Sequence, residues 1–146
     1  MNKPRNLRFS IREVDWHSTQ MELHEIRQRV FIEEQHVSAE LEWDGLDENA
    51  LHLLAVDESN KPIGCVRILA MGIIGRMAVL KEWRRQGVGK ALLDRAIAAC
   101  RKHGLKNITL SAQTHAVSFY ERAGFVVCSE EYLDAGIPHR DMRLDA

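Results

Sequence analysis

The stretch Arg84-Arg85-Gln86-Gly87-Val88-Gly89-Lys90 joins an apolar run that ends at Leu80 to an amphipathic segment that reaches about Lys102. This order predicts a strand, a glycine-rich loop and a helix. Gly87 and Gly89 carry no Cβ atom, so a ligand can approach the backbone closely. Amides at a helix start are unpaired and carry the positive end of the helix dipole. The stretch therefore predicts a site for a phosphate or pyrophosphate, to which three side chains add positive charge: Arg84, Arg85 and Lys90.

Two well-known phosphate loops do not fit this stretch. A P-loop has Ser or Thr after Gly-Lys to hold magnesium, whereas Gly89-Lys90 is followed by Ala91. A dinucleotide-binding loop has a third glycine where Leu92 stands. The loop is therefore expected to belong to another class of phosphate site.

The elements around the loop are read from apolar periodicity and capping residues. Phe9 and Ile11 alternate as in a strand, and Ser18 is the expected N-cap of the first helix. A short helix is expected from about Ser38. The apolar face of the first helix is expected to include Met21, Ile26, Val30 and Phe31. The buried stripe of the helix after the loop is expected at Val88, Leu92, Ala96 and Ala99 or Cys100.

The last part of the chain is expected to be less regular. The segment from Glu130 to Pro138 is interpreted as a loop, followed by a final strand from Met142 to Leu144. The resulting order is β-α-(α)-β-β-β-α-β-α-β-β. Mixed strands and helices in this order favour an α/β or α+β fold with a central, partly antiparallel sheet.

The composition is that of an ordinary soluble protein and indicates one domain, residues 1–146. The chain is 45% hydrophobic and 28% charged, with a formal net charge of −1. Such a balance argues against nucleic acid or a membrane as a partner. The three cysteines have neither disulfide nor zinc spacing, which favours the cytoplasm and no metal. A homodimer is compatible with this sequence, which does not set the oligomeric state.

Two motifs resemble those of one enzyme family. Arg84-x-x-Gly87-x-Gly89, after Arg76-Met77-Ala78-Val79, resembles the acyl-CoA pyrophosphate loop of the GNAT superfamily of N-acetyltransferases. Ala116-Val117-Ser118-Phe119-Tyr120, with Gly124-Phe125 following, is similar to a second motif of that family. The resemblance covers roughly Pro62 to Phe125. It implies the GNAT fold, in which helices flank a central mixed, mostly antiparallel sheet.

The resemblance implies acetyl-CoA as co-substrate and assigns roles to several residues. The Val79 backbone would pair with pantetheine, and the Met77 amide would stabilise the thioester oxyanion. Tyr120 would protonate the departing thiolate, the alternative being a tyrosine that merely packs a helix onto the sheet. Many relatives carry asparagine at Gln113, so a cofactor hydrogen bond there is expected to be lost or lengthened. The implied acetyl-CoA-binding residues are Met77, Ala78, Val79, Arg84, Arg85, Gln86, Gly87, Val88, Gly89, Lys90, Gln113 and Phe119.

The general base is not assigned by the family motifs. Ile73 stands where histone-modifying members carry a glutamate, and isoleucine cannot accept a proton. The base is then expected to be another carboxylate, a histidine, or bulk water through a chain. Glu33 and Glu34, at the end of the first helix, are the best candidates, the alternative being a solvated helix end. His52 and His139 are less favoured, because histidines at strand ends more often pack than catalyse. Three stretches also resemble a bacterial subgroup of small GNAT proteins: Phe31-Ile32-Glu33-Glu34-Gln35, Leu41-Glu42-Trp43-Asp44 and Gly136-Ile137-Pro138-His139.

The expected reaction is direct attack of an amine on acetyl-CoA, because no motif activates a cysteine for covalent transfer. The acceptor is expected to be a small-molecule or peptide amine. A segment without lysine or arginine, from Glu33 to Asn49, would attract its cationic form, or else would be a solvated acidic loop. Its carboxylates are Glu33, Glu34, Glu40, Glu42, Asp44, Asp47 and Glu48. The rival interpretation is an acyl-CoA-binding sensor or interaction module without turnover.

Overall fold

The computed structural model describes residues 8–144, which form one eight-stranded sheet with helices on both faces. The strands are β1 (Phe9–Val14), β2 (Leu51–Asp57), β3 (Pro62–Leu69), β4 (Ile73–Val79), β5 (Ile108–Gln113), β6 (Phe125–Val127), β7 (Tyr132–Asp134) and β8 (Ile137–Leu144). The helices are α1 (Trp16–Arg27), α2 (Ala39–Glu42), α3 (Val88–Lys102) and α4 (Val117–Glu121). A π-helical segment (Gln28–Glu34) continues α1, and 3₁₀ turns precede α3 and α4 (Lys81–Trp83 and Thr114–Ala116).

The sheet has the order β1-β2-β3-β4-β5-β8-β6, and β7 pairs with β8. Only the β4–β5 pair is parallel; the others described are antiparallel. The predicted fold class, a mixed and mostly antiparallel sheet flanked by helices, is therefore confirmed.

The prediction of a loop from Glu130 to Pro138 was wrong. That segment contains β7 and the start of β8, joined by a turn at Ala135 and Gly136. Both turn residues have positive φ, 53° and 76°. A two-residue turn of this kind usually has asparagine or aspartate before glycine. Alanine stands in that place here, so the usual hairpin signal is missing from the sequence.

The two faces of the sheet have separate apolar layers. On one face α3 packs with the expected stripe, and Val88, Leu92, Ala96, Ala99 and Cys100 are all buried. On the other face α1 and the π-helical segment contribute Leu23, Ile26 and Val30. Met21 was predicted on this apolar face, but its side chain is 81% exposed.

The first helix begins earlier than predicted, and its N-cap is not Ser18. The Asp15 carboxylate accepts a hydrogen bond from the Ser18 amide (3.1 Å), which makes Asp15 the cap. An aspartate in this position satisfies one of the amides that the helix start leaves unpaired. The expected short helix after Ser38 is confirmed as α2, with Ser38 as its N-cap.

A bulge in β4 turns this strand away from its neighbours. Cys65 pairs with Ala78 and Arg67 with Gly75, so two residues of β4 oppose the single residue Val66 of β3. The first of these is Arg76, whose φ is 48°. An extra residue of this kind bends a strand and increases its twist. The part of β4 beyond Arg76 therefore leaves the plane that it shares with β5.

The parallel pairing of β4 with β5 is correspondingly short. Its register includes only Ile73 with Thr109 and Ile74 with Leu110, although β4 continues to Val79 and β5 to Gln113. Beyond these pairs the two strands diverge. Their divergence opens a gap in the middle of the sheet, and the candidate site lies there.

A cluster of three arginines and three carboxylates fixes the segment after the π-helical turn to the sheet. Arg27, 1% exposed, donates from Nε to Glu42 Oε2 (2.8 Å) and from Nη1 to Asp47 Oδ1 (2.7 Å). Its guanidinium lies between the rings of Trp16 and Trp43, 5.9 and 5.0 Å from their centroids. This buried cation therefore joins α1 to α2 and to the loop that follows.

The same carboxylates reach the sheet through two further arginines. Arg67 of β3 donates from both terminal nitrogens to Asp44 (2.9 and 3.0 Å) and from Nη1 to Asp47 (3.2 Å). Arg76 of β4 donates to Asp44 (3.0 Å), and its Nε lies 3.0 Å from Glu42. Burial alone would raise the pKa of Asp44, but the arginines and the Leu46 amide outweigh it and lower this pKa to about 2.

We predict that Arg27→Ala lowers the free energy of unfolding by about 3–5 kcal/mol, because it breaks two buried ion pairs and removes one of the two arginine partners of both Glu42 and Asp47. The matched control is Arg29→Ala, two positions later, which removes an exposed ion pair with Glu82 (side chains 41% and 55% exposed). This control is expected to cost about 0–1 kcal/mol. Urea unfolding of both variants makes the comparison. Equal losses would contradict a stabilising role for the buried cluster.

Candidate active site

The gap between β4 and β5 forms a cleft of about 950 Å³. Its walls come from the π-helical segment, α2, the strands β4 and β5, the β7–β8 hairpin, and the α4 turn, which is α4 together with the 3₁₀ turn before it. Residues far apart in the sequence thus surround one space that is open to solvent. A cleft of this size and mixed polarity suits a ligand larger than a single amino acid.

The glycine-rich loop lies at the start of α3 and has an unusual backbone. Gly87 is the N-cap with φ 87°, and Arg85 also has a positive φ of 63°. The first helical bond runs from the Ala91 amide to the Gly87 carbonyl (3.0 Å), so the amides of Val88 and Gly89 precede it. No side chain within residues 8–144 caps this helix start. Such a concave set of amides can bind an anion.

Most side chains of the loop are engaged with the protein itself. Lys90 forms an exposed ion pair with Asp94 (2.9 Å), and the Gln86 amide donates to the Glu82 carbonyl (3.0 Å). The predicted positive charge of Lys90 is therefore partly matched on the helix surface. An anion bound at the loop would therefore meet backbone amides more than free cationic side chains. Space beside Gly87 is open, since a Cβ there would meet no atom within 4 Å.

Arg84 connects the loop to the opposite wall of the cleft. It donates to both carboxylate oxygens of Glu34 (2.6 and 2.8 Å) and from Nε to the Val79 carbonyl (3.0 Å). This carbonyl belongs to the residue whose backbone the resemblance assigns to pantetheine. The Arg84 hydrogen bonds also hold the pKa of Glu34 below its usual range.

The two candidate bases occupy different positions. Glu34 lines the cleft, but its carboxylate is held by Arg84. Glu33 is exposed and is absent from the residues that line the cleft. A carboxylate with a lowered pKa is a weak proton acceptor, so the ion pair competes with a catalytic role for Glu34. Both assignments stay predictions.

The β4 residues expected to contact acetyl-CoA lie along the cleft. Met77, Ala78 and Val79 all follow Arg76 and line the wall, where β4 has no pairing partner from β5. Met77 also has no partner residue in the register with β3. Ile73, at the start of β4, lines the same cleft and supplies no proton acceptor.

Tyr120 and Phe119 lie on the far wall, in α4. The Tyr120 ring packs edge-on against Phe119 and Phe125, with centroids 5.1 and 6.1 Å away. Burial raises the pKa of Tyr120 to about 12, so its phenol holds its proton at neutral pH. The Phe119 ring lies 3.6 Å from the place where a Cβ on Gly89 would stand. The second motif is thereby in contact with the loop of the first.

Gln113 bridges the cleft. Its side-chain nitrogen donates to Gln35 of the segment after the π-helical turn (2.9 Å), and its oxygen lies 2.7 Å from His115 Nε2. The amide expected to contact the cofactor is thus occupied by protein partners. Gln35 was not expected from the sequence, since nothing in its neighbourhood indicates a contact 78 positions away.

The two histidines weighed as bases differ sharply. His52 is 1% exposed, does not line the cleft, and has a pKa lowered by burial. His139 lines the cleft, and its Nδ1 lies 2.6 Å from the Ile137 carbonyl. Asp134 and Ser111 line the cleft as well. Sequence reasoning missed them, because the predicted loop from Glu130 to Pro138 concealed the hairpin that positions Asp134.

Comparison with known proteins agrees with this geometry. The sequence profile described as an acetyltransferase (GNAT) domain matches residues 15–146. The chain belongs to the GNAT acetyltransferase family. The family uses acetyl-CoA, and membership supports an acyltransferase activity. Amides at a helix start, such as those of Val88 and Gly89, can bind an anion such as the pyrophosphate of this donor.

Several relatives of this GNAT protein are similar over most of their length. The uncharacterized N-acetyltransferase YjcF of Bacillus subtilis (strain 168) is 40% identical over 124 residues, 82% of this chain and 88% of the relative. The crystal structure of an acyl-CoA N-acyltransferase from Pseudomonas aeruginosa is 32% identical, with a TM-score of 0.82, covering 93% of this chain and 99% of that one. Escherichia coli ElaA gives 26% identity and a TM-score of 0.84, covering 94% and 99%. Within residues 8–144, no helix of this GNAT protein is long and apolar enough to span a membrane.

We predict that Gly87→Glu weakens acetyl-CoA binding about tenfold or more, because it places a negative charge beside the amides of the loop. The matched control is Gly104→Glu at the other end of α3. Gly104 also has positive φ (74°) and no atom within 4 Å of a Cβ, so both variants carry similar backbone strain. Calorimetry on the two folded variants measures the affinity. Equal affinities would contradict the assignment of the loop.

Proposed function

We propose that the protein transfers the acetyl group of acetyl-CoA to an amine by direct attack. The observation that carries this proposal is the cleft between the diverging strands β4 and β5. Arg84 of the loop lines this cleft, and so do Asp134, Ile137 and His139 of the β7–β8 hairpin. A donor held at the loop along β4 and an acceptor entering beside the hairpin would meet between the strands.

Direct attack is supported by the state of the cysteines. Cys65 and Cys100 are buried, and burial raises the pKa of Cys65 to about 12 and also raises that of Cys100. A thiol that keeps its proton is a poor nucleophile. Cys128 is exposed but does not line the cleft. None of the three is therefore suited to carry an acyl group.

Two groups are proposed to act on the donor. The Met77 amide, in the bulge of β4, would donate to the thioester oxygen as negative charge develops there. Tyr120 would give its proton to the departing sulfur. The high pKa of Tyr120 supports this role because the phenol stays protonated through the neutral range.

The acceptor is proposed to be a small-molecule or peptide amine. It would be selected by contacts inside the cleft more than by long-range attraction to the acidic segment. Four carboxylates of the acidic segment already have arginine partners: Glu34, Glu42, Asp44 and Asp47. The remaining three, Glu33, Glu40 and Glu48, are exposed. Their attraction for a cation is screened over about 8 Å at physiological salt. The choice of amine is therefore expected to depend on groups inside the cleft.

We predict that Tyr120→Phe keeps acetyl-CoA affinity but lowers kcat by about 10²-fold, the usual effect of removing a general acid. The ring and its packing against Phe119 and Phe125 are preserved, so only the hydroxyl group, the proposed proton donor, is lost. Release of CoA with an accepted amine measures kcat, and calorimetry measures the affinity. Parent-like turnover would withdraw the role of Tyr120. Tight acetyl-CoA binding without transfer to any amine would instead favour the rival function, a non-catalytic acyl-CoA sensor.

A further inference from the structure

The polar wall at the β7–β8 end of the cleft is assembled by strand register. Gln113 of β5 pairs with His139 of β8, and Asp134 of β7 pairs with Ile137 of β8. Side chains paired across antiparallel strands project from the same face of the sheet, and so do those two positions apart. These four residues therefore share one face, together with Ser111, and all five line the cleft.

His139 is held in one tautomer on this wall. Its Nδ1 lies 2.6 Å from the Ile137 carbonyl, which can only accept a hydrogen bond, so Nδ1 donates. In the neutral imidazole Nε2 is then the proton acceptor. No atom of residues 8–144 hydrogen-bonds this nitrogen. The Tyr132 ring stacks on the His139 imidazole, with the ring centroids 6.1 Å apart. The Tyr132 hydroxyl donates to Asp141 (2.5 Å), and this hydrogen bond limits rotation of both rings.

Asp134 differs from the other carboxylates that line the cleft. Glu34 is paired with Arg84, and Glu42 with Arg27 and Arg76. Asp134 has no ion pair with any residue of the described range 8–144. Its charge is thus available to a cation that enters beside the hairpin. The polar wall therefore contains a carboxylate that can pair with a cation, that of Asp134, and a nitrogen that can accept a proton, Nε2 of His139.

We propose that Asp134 and His139 form the acceptor subsite and that the acceptor is a primary amine, bound as its ammonium ion. This inference rests on the proposed acetyl transfer. Asp134 attracts the ammonium, and one proton passes to His139 Nε2 and then to solvent. The amine nitrogen bonds to the acetyl carbon while the carbon–sulfur bond breaks. The sulfur takes the Tyr120 proton, and the second proton released by nitrogen replaces it.

Other charged groups around the subsite could also influence its pH dependence. From β7 and β8 they are Tyr132, Asp134 and Asp141, and from the α4 turn His115. From the other walls they are Glu34, Glu42, Arg67, Arg76 and Arg84. The hydrogen bonds from Arg84 lower the pKa of Glu34, whereas burial raises the pKa of Glu42 in spite of its arginine partners. A pH-dependent change in kcat is therefore assigned to His139 only where the His139 variants lose it.

The test begins with a panel of primary amines, screened for CoA release in the presence of acetyl-CoA. His139→Asn retains a side-chain NH near the position of Nδ1 and removes the base, and His139→Gln is a second variant in case one fails to fold. Both are expected to keep acetyl-CoA affinity and to lose about 10²-fold in kcat.

The parent kcat should rise with pH and level off as the histidine loses its proton. The kcat of the variants should continue to rise, because only solvent or hydroxide then accepts the proton.

Asp134→Asn is expected to raise KM for the amine about tenfold with little change in kcat, since it removes attraction and not the base. His103→Asn, at the exposed end of α3, is the control and should behave as the parent. A His139 variant with the parent kcat and pH profile would overturn the base, and an unchanged amine KM in Asp134→Asn would overturn the carboxylate. If the parent binds acetyl-CoA and acetylates no amine, the proposed function itself fails, and the subsite with it.

Discussion

The ion pairs of Arg76 hold the residue at which β4 leaves its neighbours. Arg76 is the extra residue of the bulge and has a φ of 48°, a conformation that costs a non-glycine residue about 1–3 kcal/mol. Its guanidinium donates to Asp44 and to the carbonyls of Leu41 and Glu42 (3.0–3.1 Å). These contacts oppose the strain. They also attach α2 to β4, and both of these elements line the cleft.

The rest of the cluster explains why this arrangement can be fixed. Arg27 and Arg67 are 1% and 5% exposed, and each holds carboxylates from the segment that carries α2. Buried ion pairs of this kind contribute little net stability, but breaking one leaves a charge without compensation. The segment is therefore committed to one position over β3 and β4. The network thereby fixes the wall of the cleft that α2 and β4 form.

The sequence predicted the parts of the site that depend on local patterns. The glycine-rich loop and the buried stripe of α3 follow from spacing within short stretches, and Tyr120 was singled out by its resemblance to a family motif. The partners of the acidic segment could not be predicted in this way, because Arg67 and Arg76 lie 20 to 34 positions from the carboxylates they bind. Ser18 was expected as the cap where Asp15 is observed, since both residue types favour that position. Asp134 was missed because its hairpin lacks the usual turn residues.

The most direct test of this account is amide hydrogen exchange with and without acetyl-CoA. In the proposed complex the donor lies along β4 after Arg76 and at the start of α3. The amides from 77 to 79 and from 86 to 90 should therefore exchange more slowly on addition of acetyl-CoA, with β1 and β2 unchanged. Protection confined to other elements, or absent from both stretches while acetyl-CoA is bound, would contradict the claim that the divergence of β4 and β5 forms the active site.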